Sequence, residues 1–461
     1  MINPKLFVLS TIFLIGMAAC QDDHLNPASG TETTTNTTKV SHTSLVYIVA
    51  DNSLNSYAQY DIDEILQGYT AIDDTASNHL LVYIDDASLP LLLKVVQKND
   101  TTAVMDTLKI YDEQNSLNPD TMATIINTAL ELFPADSYGL TLWSHGSGWL
   151  PGTDQSPAAQ TRSFGVDDYG SDRQDSVAVD SGTQMDIMDL KTALESCPHF
   201  KYVLFDACDM QGIEVAYELR NLVDYFISSP GEIPAYGAPY NTVVPAFFSE
   251  ENTAKAIAKA YYGPYAAAYS YQSSDNSSFS SRNAGVRYVG RFTGGTNKTA
   301  QYPYGIAVSV IDASQLDNLA AATKSILTTY LTDNTTVSTD GVLSYDDNYY
   351  NFYYDLNSFI ESVTDGGSDY TRWKEVFDKA LPEFYSTAYI YSSYADGGNG
   401  GMCSMADAFG ISTFIPADSN FLNAAYWTYS MNLGKAYQTY YREYYQEYTW
   451  DTDAGWHDLG W

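Results

Sequence analysis

The chain has 461 residues, 45% hydrophobic and 17% charged, which is enough apolar residue for a large core and excludes a wholly disordered chain. Lys and Arg number 22 against 57 Asp and Glu, a net charge of −35, so the basic footprint of a nucleic-acid binder is missing while basic peptides stay open as ligands. No apolar run reaches the roughly 18 residues of a membrane helix, so no internal span is expected.

The N-terminus reads as a targeting segment. Lys5 and the amine give a positive start, and Leu6 to Ala19 is poor in polar groups, the right length for a signal core and short for a span. Gly16-Met17-Ala18-Ala19-Cys20 resembles a bacterial lipobox, with Cys20 as the lipidated residue. An ordinary signal peptide with an incidental Cys20 is the other reading. Gln21-Asp22-Asp23 is similar to the acidic signal that exports lipoproteins of the Bacteroides group to the cell surface. Residues 1–19 are thus expected as signal peptide and 20–43, polar and rich in Thr, Asn and Ser, as a flexible tether. The expected location is the outer membrane or cell surface, with membrane contact only through the lipid. Of the four cysteines (20, 197, 208 and 403), three remain once Cys20 is lipidated, so at least one thiol is unpaired. There is no CxxC, and the six histidines are scattered, which argues against a zinc site.

In chain order, Ser44–Ala50 reads as a buried strand and Asp61–Gln67 as a short helix. His79–Ile84 and Leu91–Val96 are strands, and Pro119 opens a helix to Leu132. Tyr138–Ser144 is a strand running into His145-Gly146, followed by an acidic loop over 151–184. Met185–Ser196 is a helix, Tyr202–Phe205 a strand running into Asp206-Ala207-Cys208, Gly212–Leu222 a helix and Tyr225–Ser228 a strand. Helix 254–262, a loop or insertion over 263–303, strand Tyr304–Val310 and helix Gln315–Tyr330 follow. Helices at 353–363, 372–386 and 424–446 and a strand at Gly410–Ile415 complete the chain. Alternating helices and continuously apolar strands predict an α/β fold with a mainly parallel sheet covered on both faces.

Reactive groups of such sheets collect beyond the strands' C-terminal ends. Two ends carry them here, His145 and Cys208, separated by one strand–loop–helix–strand unit that makes the strands parallel. A thiol beside an imidazole is the minimum for cysteine nucleophilic catalysis. On spacing alone, a core thiol and a hydrogen-bonded loop histidine explain the pair equally well.

The surrounding motifs add to this. Leu140-Thr-Leu-Trp-Ser-His145-Gly-Ser-Gly-Trp149 and Leu204-Phe-Asp-Ala-Cys208-Asp-Met-Gln-Gly212 resemble the histidine and cysteine motifs of the clostripain family, peptidases of the caspase-like fold. Ala50-Asp51-Asn52-Ser-Leu54, Asp61-Ile62-Asp63-Glu64, Ser229–Tyr240, Tyr354-Asp355-Leu356 and Gly410–Pro416 are similar to further family segments. The resemblance implies a caspase-like catalytic domain over 44–313 with an α+β C-terminal extension over 314–461. It implies Cys208 as nucleophile, His145 as acid–base partner, and an oxyanion hole from the N–H groups of Gly146 and Cys208. It implies Asp206 and Glu232 as substrate-binding carboxylates for Arg or Lys, and activation by a cut in the interval that holds Arg162, Arg173, Lys191 and Lys201, the first two in the acidic loop. The expected partners are protein or peptide substrates of a monomeric enzyme. No cofactor is expected, although some family members need calcium, for which Asp167, Asp168 and Asp172 supply hard oxygen ligands. The chain departs from the family pattern at Asp209, where an apolar residue is usual, and at Pro230-Gly231, where acids are usual. An inward Asp209 carboxylate would raise the thiol pKa. A non-catalytic extracellular binding or adhesion lipoprotein on the same scaffold is the rival, and the presence of both His145 and Cys208 discriminates against it.

Overall fold

The computed structural model describes residues 41–150, 163–168, 182–269, 305–331, 337–346, 351–393, 395, 400–415 and 445–459. The signal segment, Cys20 and residues 424–444 of the expected 424–446 helix therefore lie outside the described residues, as do Arg162, Arg173 and Asp172, while Tyr445–Glu447 form a short 3-10 turn.

Five parallel strands form the centre of a nine-stranded sheet. They are β1 (His42–Val49), β2 (Asn78–Asp85), β5 (Ser137–Trp143), β8 (Phe200–Asp206) and β9 (Val223–Ser228). Antiparallel strands extend both edges: β3 (Leu91–Asn99) and β4 (Thr102–Ile110) beyond β2, and β10 (Ala307–Asp312) and β12 (Glu383–Ser386) beyond β9. The order is β12-β10-β9-β8-β5-β1-β2-β3-β4. Small two-stranded pairs complete the ladders: β6 (Phe164–Asp167) with β7 (Thr183–Met185), β11 (Tyr354–Asp355) with β15 (Ser412–Thr413), and β13 (Tyr389–Ser392) with β14 (Gly401–Ser404).

The apolar strands divide their side chains between two cores, as the period of two requires. Leu45, Tyr47 and Val49 face one side with Leu140, Leu142, Val203 and Phe205. There they meet α2 (Pro119–Leu132), α3 (Ile187–Glu195) and α4 (Ile213–Leu219). Val46, Ile48, Val82, Tyr202 and Leu204 face the other side, against α1 (Asn55–Tyr69), α5 (Tyr240–Phe247) and α6 (Thr253–Ala268). Burial on both faces is why these strands read as unbroken apolar runs. Helix α2 starts at Pro119 because Asn118 caps it, its side-chain oxygen accepting from the N–H groups of Asp120 and Thr121 at 3.0 and 3.1 Å.

Some elements differ from the sequence reading. Strand β4 has no counterpart in it. The helix expected over 372–386 runs from Ser368 to Ala380 instead, because Pro382 cannot continue it and Glu383–Ser386 pair with β10 as an edge strand. The run Gly410–Ile415 pairs through only two residues of β15.

Later segments brace the strand ends that carry the site. Glu214 of α4 is fully buried, and its Oε1 accepts from Thr413 Oγ1, Phe414 N and Tyr445 OH at 2.9, 2.8 and 2.8 Å. Tyr353 OH donates to Ser147 O at 2.8 Å, and Tyr448 OH to Trp149 O at 3.0 Å. The loop after β5 is thus held from the far end of the chain.

Candidate active site

The register between β5 and β8 pairs Trp143 with Asp206. His145 lies two residues beyond Trp143 and Cys208 two beyond Asp206, so neighbouring parallel strands deliver them at the same level. The two strand ends touch at Gly146, where a Cβ would lie 2.5 Å from Cys208 O and 3.2 Å from Cys208 N. Only glycine permits that approach. Gly146 also bridges Phe164, but the bonds of that bridge run through its neighbours, Gly165 N to His145 O and Ser147 N to Ser163 O. The Gly146 N–H is left out of the ladder.

The loop after β1 positions the histidine. Ser53 Oγ lies 3.0 Å from His145 Nε2. Buried Asn52 fixes that loop, donating to Val49 O and Val166 O at 3.0 and 2.8 Å and accepting from Leu54 N at 2.8 Å. Ser144 Oγ donates to Val49 O at 2.9 Å, locking the end of β5 to the end of β1.

The 229–235 loop runs alongside the cysteine. Asp209 N donates to Gly231 O and Gln211 N to Ser229 O, both at 3.0 Å. Cys208 Sγ lies against the Ile233 backbone, accepting from Ile233 N at 3.4 Å and donating to Ile233 O at 3.7 Å. Cys208 is partly exposed, whereas Cys403 is buried and Cys197 donates to Ala193 O at 3.4 Å. Burial pushes the Cys197 thiol up to about 12, which makes it inert.

His145, Asp206, Cys208 and Glu232 line one open cleft of about 300 Å³, with Tyr391 and Ser393 forming part of its wall. The structure thus brings His145, Asp206, Cys208 and Glu232 to one cleft. Asp206 is 2% exposed. It accepts from Ala238 N at 2.9 Å, Tyr240 OH at 2.9 Å and Tyr261 OH at 2.8 Å. Burial raises its pKa and outweighs these three donors, which act in the opposite sense. Gly237, at φ +56°, lies so close that a Cβ would stand 2.6 Å from Asp206 Oδ2.

Asp209 is the departure with electrostatic consequences. It is 2% exposed, holds a left-handed φ of 61°, and its Oδ2 has no hydrogen-bond partner. Burial, then Glu232 and Asp346, push its carboxyl well above the usual range. It points inward, and its burial disfavours the negative charge that would oppose a thiolate. The Glu232 carboxyl is pushed up to about 7 by burial and by Asp346, against the Ser393 hydroxyl and N–H that donate to it.

Several site features had no single-residue signal in the sequence: Ser53 beside His145, Tyr240 and Tyr261 on Asp206, and Ser393 on Glu232. Ser53 and Tyr240 lay inside quoted motifs, whereas Tyr261 and Ser393 did not. Of the acids considered for calcium, Asp167 is buried and accepts from Ser116 N at 2.6 Å, and Asp168 is 9% exposed. Among the described residues no group of three or more His, Cys, Asp or Glu is placed to hold a metal ion.

A doubly covered, mostly parallel sheet whose adjacent strand ends present a histidine and a cysteine defines the caspase-like class of cysteine hydrolases. The chain belongs to the clostripain family, whose model matches residues 46–461, and is a cysteine-type peptidase acting on proteins or peptides. It is 35% identical to a secreted C11 cysteine protease from Bacteroides thetaiotaomicron solved with an irreversible peptide inhibitor, covering 90% of this chain and 99% of that one with a TM-score of 0.71. An inactive zymogen C11 protease from Parabacteroides distasonis is 26% identical over 90% of this chain and 98% of its own, with a TM-score of 0.66. A search of curated protein sequences finds no match. Among the described residues no helix is long and apolar enough to cross a membrane.

Proposed function

We propose that the chain is a surface-anchored cysteine endopeptidase that cleaves after Arg or Lys through a Cys208–His145 dyad. The observation that carries this reading is the β5–β8 register, which delivers both side chains to one cleft containing two carboxyls. In the proposed reaction Cys208 Sγ attacks the scissile carbonyl carbon while His145 accepts the thiol proton. The N–H groups of Gly146 and Cys208 donate to the developing oxyanion. His145 returns the proton to the leaving amine, and water, with His145 as base, hydrolyses the thioester. Asp206 and Glu232 face the basic side chain before the cut. The chemistry needs no metal.

Activation by a cut between the dyad residues is part of the reading. Lys191 lies in α3 with Nζ 2.6 Å from Glu218, and Lys201 lies in β8. Both are locked in regular structure, which leaves Arg162 and Arg173 as the processing positions. An arginyl or lysyl peptidyl ketone electrophile tests the whole site. The mapped adduct is expected on Cys208, and an adduct elsewhere, or none, refutes the assignment.

The anchor rests on the Gly16–Cys20 lipobox. Mass spectrometry of the mature protein is expected to find an acylated N-terminal peptide beginning at Cys20. An unmodified peptide beginning elsewhere overturns that part of the reading and leaves the chemistry untouched.

A further inference from the structure

Three buried carboxyls from three separate elements act on one another, one of them on the residue after the nucleophile and one on the cleft wall. Asp209 follows Cys208 on the loop after β8. Glu232 lies on the loop after β9, whose Gly231 O accepts the Asp209 N–H at 3.0 Å. Asp346 lies before β11, where Ser344 Oγ and Phe352 N, the latter at 2.9 Å, donate to its carboxyl. The end of β13 ties two of them together: Ser393 donates to the Glu232 carboxyl, and Ser392 Oγ to the backbone oxygen of Asp346 at 3.3 Å.

No lysine or arginine among the described residues balances this group. The charges acting on Asp209 are Glu232 and Asp346, and the charge acting on Glu232 is Asp346. The remaining titratable groups at the cleft are Tyr391 on β13, Cys208, His145 and Asp206. Three carboxyls packed together without a cation do not all ionise. Their surroundings decide the order. Asp346 has the Ser344 hydroxyl and several backbone N–H donors and ionises first, with its carboxyl pushed up by burial to about 6. Glu232 has the Ser393 donors and a place on the cleft wall, so it ionises next. Asp209, buried with an unpartnered oxygen, is the least able of the three to ionise.

We propose that Glu232 is a proton-gated specificity residue, so that the cleft gains its second negative charge, and its full preference for a cationic side chain, only as the pH rises. This rests on the peptidase reading above and adds a regulation to it. Below the gate an arginyl side chain meets Asp206 beside a neutral Glu232. Above the gate it meets two carboxylates. The arrangement disfavours cleavage after basic residues in an acidified compartment without switching off the dyad itself.

The test is the ratio of kcat/KM for a peptide with Arg before the cut to that for the same peptide with citrulline, an uncharged isostere, measured from pH 5.5 to 8.5. Titration of Cys208 and His145 acts on both substrates alike and cancels in the ratio. For the native protein the ratio is expected to rise by roughly tenfold or more across this range, the span of one carboxyl titrating within it. In Glu232→Gln the rise disappears. In Asp346→Asn it begins at lower pH, because the charge that holds the Glu232 proton is gone. A ratio flat with pH in the native protein overturns the gate. A rise that persists in Glu232→Gln assigns the titration to Asp206 and overturns it too. A further measurement needs no variant. Calorimetry in buffers of different ionisation enthalpy, near pH 6.5, should show more proton release on binding an arginyl than a citrullyl peptide aldehyde, and equal release rejects the gate. Labelling separates the two readings: a protein modified at Cys208 with a pH-flat ratio fails the gate alone, and a protein not modified there by any peptidyl electrophile fails the peptidase assignment.

Discussion

Replacement of Cys208 by alanine is expected to lower peptide hydrolysis by at least about 10⁴-fold, while replacement of Cys197 leaves it within about twofold. The two thiols are both single side chains on the same domain, and their surroundings separate them. Cys208 stands partly exposed at the mouth of the cleft and receives the Ile233 N–H at 3.4 Å. Cys197 bonds to its own helix at Ala193 O, and burial holds its proton. Cys208→Ala removes the attacking atom without disturbing the main-chain bonds of the 229–235 loop, so the melting temperature should move little. His145→Ala should produce a loss similar to that of Cys208→Ala, and the double variant little more, because the pair acts as one unit. Steady-state kinetics on the four proteins check this. Equal loss in Cys197→Ala and Cys208→Ala would remove Cys208 from its role.

The parallel strands were legible because burial on both faces removes polar residues from them. Leu45–Val49 and Leu80–Ile84 read as strands without any knowledge of their neighbours. Strand β4 was not legible, because it is an edge strand with much of its length exposed, and Asp106, Thr107 and Lys109 break its apolar pattern. Strand β12 was absorbed into a helix because its pairing with Ala307–Val310 is remote in sequence, and Pro382 alone did not announce it. The site shows the same division. His145 and Cys208 lie at the tips of apolar strands, so topology brings them together before any side chain is placed. The partners that tune the carboxyls are contributed by distant chain. Tyr261 lies 55 residues from Asp206, and Ser393 lies 161 residues from Glu232. Nothing local in either segment marks such a hydroxyl as part of the cleft.

Asp206→Asn is expected to lower kcat/KM for an arginyl substrate by roughly 30-fold or more, about 2 kcal/mol of transition-state stabilisation, and to lower it far less for a neutral substrate. The asparagine variant is the informative one. Asp206→Ala would strand two buried tyrosine hydroxyls and the Ala238 N–H, each costing about 1–3 kcal/mol, and would confuse specificity with folding. Asparagine keeps the shape and one acceptor oxygen for Tyr240 or Tyr261. It also turns an amide NH₂ toward groups that now donate, so some loss of stability is expected even here. The charge is the part that cannot be replaced. Burial pushes the Asp206 carboxyl up, and the Ala238 N–H with the two hydroxyls offsets part of that shift before substrate arrives. An entering guanidinium completes that set, and without the Asp206 carboxylate it keeps only Glu232 as a partner. Tyr261→Phe makes the comparison quantitative. It removes one donor at 2.8 Å, should weaken the anion, and should therefore reduce arginyl turnover by a smaller factor than Asp206→Asn. Thermal unfolding measured beside kinetics on paired arginyl and neutral substrates decides the case. If Asp206→Asn slows both substrates equally while losing stability, the carboxylate is a structural clamp on Tyr240 and Tyr261, and Arg or Lys selection lies elsewhere in the cleft.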